Sequence, residues 1–211
     1  EANNLAIQGV IRSRALENKK ARLQQKLHII TSQIEHESVL SPCENLEQEG
    51  IAEVTYLPVD KEGIVQVEDV KGALKENTVL VSIMYANSEI GTVQPIAEIG
   101  EMLHKYKIQN TKYKILFHTD AAQAAPLLDC DVQKLKVDLL TMSSHKMYGP
   151  KGAGVLYVKE GLSLFPALYG GGQEQGLRSG TENVAAIVGM GAAIEEIRNP
   201  KSEIRNIQIR Q

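Results

Sequence analysis

The chain has 211 residues, 43% of them hydrophobic, and a formal net charge of −3. That length and apolar content suit one sizeable packed core rather than a disordered chain. The slightly acidic balance offers no basic footprint for nucleic acid, and no apolar run reaches the roughly 20 residues needed to span a bilayer.

The chain opens on Glu1-Ala2-Asn3-Asn4 and passes at once into an amphipathic pattern carried by Leu5, Ile7, Val10 and Ile11. An immediate start of this kind is expected inside a larger protein. "LHIIT" (27–31) reads as a short strand. "HESVLSPCENLEQEG" (36–50) reads as a helix with Val39, Leu40, Cys43 and Leu46 on one face and Gly50 as its C-terminal cap. "EVTYLPV" (53–59) predicts a strand, and "VEDVKGALKEN" (67–77) a helix ending at Asn77. "TVLVSIMYAN" (78–87) is nearly continuous in apolar residues and predicts a buried strand. "PIAEIGEMLHKY" (95–106) begins with proline in its first turn, a favourable helix start. The following segment, up to His118, is expected to include a surface linker. "KILFHTD" (114–120), "DLLTMSS" (138–144) and "GVLYVK" (154–159) predict strands, and "ENVAAIVGMGAAIEEIR" (182–198) a helix rich in small residues.

Strands alternate with helices, and several strands lack polar alternation, as strands covered on both faces do. The predicted class is α/β, with a mostly parallel sheet sandwiched by helices. Residues 1–198 form the expected domain, and 199–211 a polar tail or the start of another element. Cys43 and Cys130 belong to no CxxC pair, so neither a zinc site nor a disulfide framework is predicted. Two free thiols suit a reducing compartment, and a cytoplasmic location is the expectation.

In open α/β sheets, ligands bind outside the carboxyl ends of the strands. Here those ends carry His36, then Asn87-Ser88-Glu89, then Thr119-Asp120-Ala121-Ala122-Gln123, then Ser143-Ser144-His145-Lys146. Each alone has an ordinary explanation. Asp120 could cap the next helix, His36 could be structural, and Lys146 could be a solvated lysine. Gly170-Gly171-Gly172 and "GPKG" do not make a phosphate loop of the GxxxxGK[ST] type. On one edge of one sheet, however, a lysine and an aspartate suggest pyridoxal-phosphate chemistry. The lysine forms the Schiff base, and the acid pairs with the pyridinium nitrogen. Hydroxyls and N–H donors are needed for the phosphate, and Ser143 and His145 could supply them.

Four motifs, "YANSEIGTVQPIAEIG", "FHTDAAQA", "SSHKMYGPKGAGVLYV" and "GGGQEQGLRSGTENV", give the chain a strong resemblance to NifS-like cysteine desulfurases. These are fold-type I pyridoxal-phosphate enzymes of the class V aminotransferase superfamily. The resemblance runs from Glu1 to about Ala193. It implies Lys146 as the Schiff-base lysine, Asp120 as partner of the ring nitrogen and Gln123 as donor to the ring's phenolic oxygen. It implies that His36 stacks on the ring and helps proton transfer, and that Asn87 lies near the ring and the substrate carboxylate. Ser143 and His145 resemble phosphate ligands, and Thr181 matches a residue reaching the phosphate of the other subunit of a homodimer. Arg178, in the same motif, receives no role.

The implied reaction takes sulfur from L-cysteine, leaving L-alanine, onto an enzyme cysteine for iron–sulfur or thio-cofactor synthesis. The expected partners are cysteine, a second subunit and a sulfur acceptor such as an iron–sulfur scaffold. Neither Cys43 nor Cys130 matches the sulfur-accepting position, so the chain is expected to be inactive alone. A selenocysteine lyase on the same scaffold, a non-catalytic truncated product and a nucleotide-binding α/β domain are the alternatives. The chain departs from the family pattern at Ser88, and at Ser144, where the family has glycine. Serine is tolerable there unless the backbone needs a positive φ.

Overall fold

The computed structural model describes residues 1–22, 25–109 and 114–199. Among these residues the α-helices are α1 (Ala2–Lys20), α2 (Glu37–Gln48), α3 (Val67–Ala73), α4 (Ile96–Gln109), α5 (Val132–Leu135) and α6 (Val184–Arg198). The strands among them are β1 (Leu27–Ser32), β2 (Ala52–Leu57), β3 (Thr78–Ser82), β4 (Ala86–Asn87), β5 (Thr92–Val93), β6 (Leu116–Asp120), β7 (Leu139–Ser143) and β8 (Gly154–Val158). The main sheet runs β2-β1-β3-β6-β7-β8, and β4 and β5 form a small separate hairpin. All neighbours in the main sheet are parallel except β8, which returns antiparallel to β7. This is the mostly parallel α/β architecture expected.

Alternate side chains of each strand feed two cores. Leu27 and Ile29 of β1, Leu116 of β6 and Leu139 of β7 pack with Ile7, Val10 and Ile11 of α1 and with Val39, Cys43 and Leu46 of α2. On the other face Ile30, Val81, Phe117 and Leu140 pack with Val70 of α3 and with Ile96, Ile99 and Leu103 of α4. Period-2 alternation sends successive side chains to opposite faces, so strands apolar at both parities need helices on both sides. Close approach fixes the α4–α5 contact. A Cβ added at Gly100 of α4 would lie 2.3 Å from the carbonyl oxygen of Leu135 in α5.

The structure revises several element boundaries. The α3 helix stops at Ala73, because Leu74 turns to extended backbone, so it does not reach Asn77. The strand predicted over 78–87 ends at Ser82, and its last residues join the β4–β5 hairpin instead. Gly50 closes α2 as expected, with φ of +70°. Cys43 is fully buried on the inner face of α2. Part of the predicted linker (110–113) and nearly all of the polar tail (200–211) lie outside the described residues.

Candidate functional site

From β1 the chain first adds β2 on one side, then places β3 on the other. The order of the parallel strands therefore reverses between β1 and β3, the point where open sheets leave a crevice at their carboxyl ends. Four adjacent strands, β1, β3, β6 and β7, deliver the predicted residues to this edge. His36 follows β1, Asn87 follows β3, Asp120 ends β6, and Ser143 ends β7 with His145 and Lys146 just beyond it.

Asp120 is only 8% exposed and is held from three directions. Its Oδ1 accepts from the Ala122 backbone N–H at 2.9 Å and, more weakly, from Thr141 Oγ1 at 3.4 Å. Its Oδ2 accepts from Asn3 Nδ2 at 2.6 Å. The local contact to Ala122 is the turn-capping role any aspartate can play. The contact to Asn3, 117 residues away, reaches beyond that local turn. Asn3 also donates to Ser38 Oγ at 2.8 Å and accepts from Thr141 Oγ1 at 2.6 Å, so its amide is fully engaged.

His36 is the N-cap of α2. Its Nδ1 accepts the Ser38 backbone N–H at 3.1 Å and lies 2.8 Å from Ser38 Oγ. The residue is exposed. Glu35, the preceding residue, is buried and joins the two strands at the switch point. Its Oε1 accepts from Ser32 Oγ at 2.6 Å and from the Met84 backbone N–H at 2.9 Å. Burial pushes its carboxyl up to about 8, against the opposing pull of those hydrogen bonds, so it is protonated near neutrality. Asn87 donates to the Ile34 carbonyl at 3.0 Å, and its Oδ1 accepts from Glu89 N–H at 2.8 Å. It thus ties the hairpin to the loop that carries His36.

After β7 the chain enters a 3-10 turn, Ser144–Met147, closed by Tyr148 at φ +61°. Lys146 stands exposed on this turn. Ser143 Oγ and His145 Nδ1 lie 2.8 Å apart, forming a hydroxyl–imidazole pair beside the lysine. Ser144 takes no positive φ, so the serine in place of glycine is accommodated. Its buried hydroxyl finds no hydrogen-bond partner. Gln123 is half-buried in the turns after Asp120, and Thr181 is exposed in the loop before α6. Arg178 Nε donates to Glu1 at 2.7 Å, tying that loop to the start of α1.

Sequence reasoning missed Asn3, Ser38, Thr141 and Glu35. The signal available was a polar residue at an otherwise apolar interior position, such as Thr141 within "LLTM". The two thiols are poor nucleophiles. Burial pushes Cys43 up to about 12 and Cys130 up to about 11.

The family profile described as "Aminotransferase class-V" matches residues 1–210. "Cysteine desulfurase IscS" of Clostridium botulinum (strain Hall) is 51% identical over 195 residues, 92% of this chain and 45% of that protein. "Cysteine desulfurase, mitosomal" of Encephalitozoon cuniculi is 51% identical over 197 residues, covering 92% and 42% respectively. Among solved structures, "SspA in complex with cysteine" superposes with a TM-score of 0.84 at 42% identity, covering 99% of this chain and 56% of that one. A "NIFS-LIKE PROTEIN" gives 0.81 at 38% identity, covering 93% and 51%. The chain spans about half the length of these relatives. With the doubly covered sheet and its polar carboxyl edge, the match over residues 1–210 makes this chain a member of the class-V aminotransferase family.

Proposed function

We propose that this chain forms the cofactor-holding half of a pyridoxal-phosphate-dependent cysteine desulfurase, which converts L-cysteine to L-alanine and passes the sulfur to an enzyme cysteine. One observation carries the reading: a hydrogen-bonded, nearly buried Asp120 and an exposed Lys146 stand at the carboxyl ends of the neighbouring strands β6 and β7. The roughly 50% identity to named cysteine desulfurases supports it. The donor set fits pyridoxal phosphate: a carboxylate fixed for a ring nitrogen, an amine in reach of solvent, and the Ser143–His145 pair for a phosphate. When bound, that cofactor supplies an electron sink for an amino-acid substrate.

The chain's own residues divide the remaining work. Lys146 would hold the cofactor through its amine, a group that can also take a proton. Asp120 would supply the negative charge that pairs with the ring nitrogen. Ser143 and His145 would bind the phosphate, and Gln123 the ring oxygen. His36 and Asn87 would serve the ring and the substrate carboxylate. Thr181, exposed on its loop, suits a contact to the phosphate of a second subunit in a homodimer. The sulfur-accepting thiolate is assigned to the part of the relatives' length that this chain does not span, because both described thiols are held protonated by burial. Delivery of the sulfur to an acceptor such as an iron–sulfur scaffold, in a reducing, cytoplasmic setting, belongs to the same proposal, and the two free thiols are compatible with it.

The test is made on the full-length protein. Lys146→Ala is expected to abolish the visible absorbance of lysine-linked cofactor and nearly all alanine release. Asp120→Asn is expected to bind cofactor but lose most turnover. Normal turnover in the Lys146 variant would refute the assignment.

A further inference from the structure

The contacts around Asn3 can be read donor by donor. Asp120, as a carboxylate, only accepts, so Asn3 must present N–H to its Oδ2 at 2.6 Å. The same amide nitrogen has a second hydrogen, directed at Ser38 Oγ 2.8 Å away. Thr141 donates to Asn3 Oδ1 at 2.6 Å, which fixes the amide in this orientation. At the other end of the chain of contacts, the Ser38 backbone N–H can only donate, and it donates to His36 Nδ1. That nitrogen therefore carries a lone pair, and the Ser38 hydroxyl at 2.8 Å donates to it as well. A neutral imidazole so held keeps its proton on Nε2.

We propose that Asn3 is a positioning residue of the site. With one N–H it orients the Asp120 carboxylate, and with the other, through Ser38, it holds His36 with its ring proton on Nε2. The inference rests on the cofactor reading above and deepens it. An imidazole protonated at Nε2 offers the site a proton and has no lone pair there to accept one. His36 thus serves as a donor, and the work of taking a proton falls to the Lys146 amine.

Two measurements on the full-length protein test this. In the cofactor-free protein with nitrogen-15 histidine, long-range correlation spectra report which ring nitrogen is protonated, and His36→Gln identifies the His36 signals by their loss. The proton is expected on Nε2. A proton on Nδ1 overturns the inference, and this reading needs no variant of Asn3 to fold. In the loaded protein, Asn3→Ala is expected to weaken pyridoxal-phosphate affinity by about tenfold, the scale of one lost hydrogen bond to a charged group. It is also expected to shift the pH titration of the visible band, because the Asp120 carboxylate loses its fixed orientation. Wild-type affinity with an unmoved titration overturns the role of Asn3. Lys146→Ala separates the two levels. If its visible band disappears while Asn3→Ala behaves as wild type, only the Asn3 inference fails. If the band survives Lys146→Ala, the cofactor reading itself fails.

Discussion

Ser144 shows how the turn after β7 is built. Its side chain points into packed protein, and any Cβ at Gly149 would lie 2.3 Å from its Oγ. The hydroxyl is buried without a partner, and an unsatisfied polar group costs free energy on burial. Ser144→Ala removes that cost and leaves the turn geometry unchanged. It is expected to raise stability by about 1 kcal/mol in urea unfolding, on the scale of a buried unpaired polar group. At this scale the sequence was partly legible. Asp120, Lys146, His36 and Asn87 announce themselves, because reactive side chains stand where apolar strands end. Asn3 and Thr141 do not. Their partners lie 117 and 138 residues away, and only the fold brings them together. Glu35 was hidden for another reason. A carboxylic acid beside a histidine reads as solvated, and nothing local says that β3 will cover it.

Among the elements, α4 and α5 meet closely. Gly100 faces the backbone of Leu135 and the Cβ of Lys136, at 2.3 and 3.0 Å from a built Cβ. Backbone cannot swing aside as a flexible side chain can. Gly100→Ala should therefore push the helices apart and cost roughly 1–3 kcal/mol, the usual range for overpacking. Equilibrium denaturation would show it as a lower midpoint with an unchanged slope. Gly72, whose added Cβ would meet nothing within 4 Å, is the matched control. The long elements were legible because their apolar periods persist over many residues. The β4–β5 hairpin was not, since two-residue strands carry no period, and apolar Ile83 and Met84 extend the β3 pattern past its true end. The antiparallel return of β8 was equally hidden, because alternation does not encode direction.

For the molecule as a whole, pH should act through three buried groups. Burial pulls His28 and His118 down to about 4 from an ordinary value of 6.5. Both are folded in the neutral form, so their contribution is complete above pH 6.5 and is lost as pH falls toward 4. Glu35 acts in the opposite sense. Raised from 4.5 to about 8, it contributes fully below pH 4.5, and that contribution is lost as pH rises to 8. Unfolding midpoints measured from pH 4 to 9 are expected to peak between these limits. Glu35→Gln, which keeps an acceptor for Ser32 and Met84, should flatten the fall in stability between pH 6.5 and 8 and steepen the rise between pH 4.5 and 6.5, because the Glu35 contribution is lost across that whole span. An unchanged alkaline slope in that variant would remove Glu35 from the account. The chain by itself is also expected to release no alanine from cysteine, because neither described thiol is available as a thiolate. Alanine production by this chain alone would contradict that assignment.

The first turn of α1 also has a consequence in time. Glu1 and Asn3 bond to residues 35, 117, 138 and 177 positions further along the chain. Contacts of such long range form only after the intervening segments have closed, which makes them late in folding. On the ribosome, α1 would emerge well before the loop at Arg178 and wait for it before its first turn could lock. The pocket edge is thus a closing knot, completed when the first turn of α1 meets the loop at Arg178, 177 residues further on.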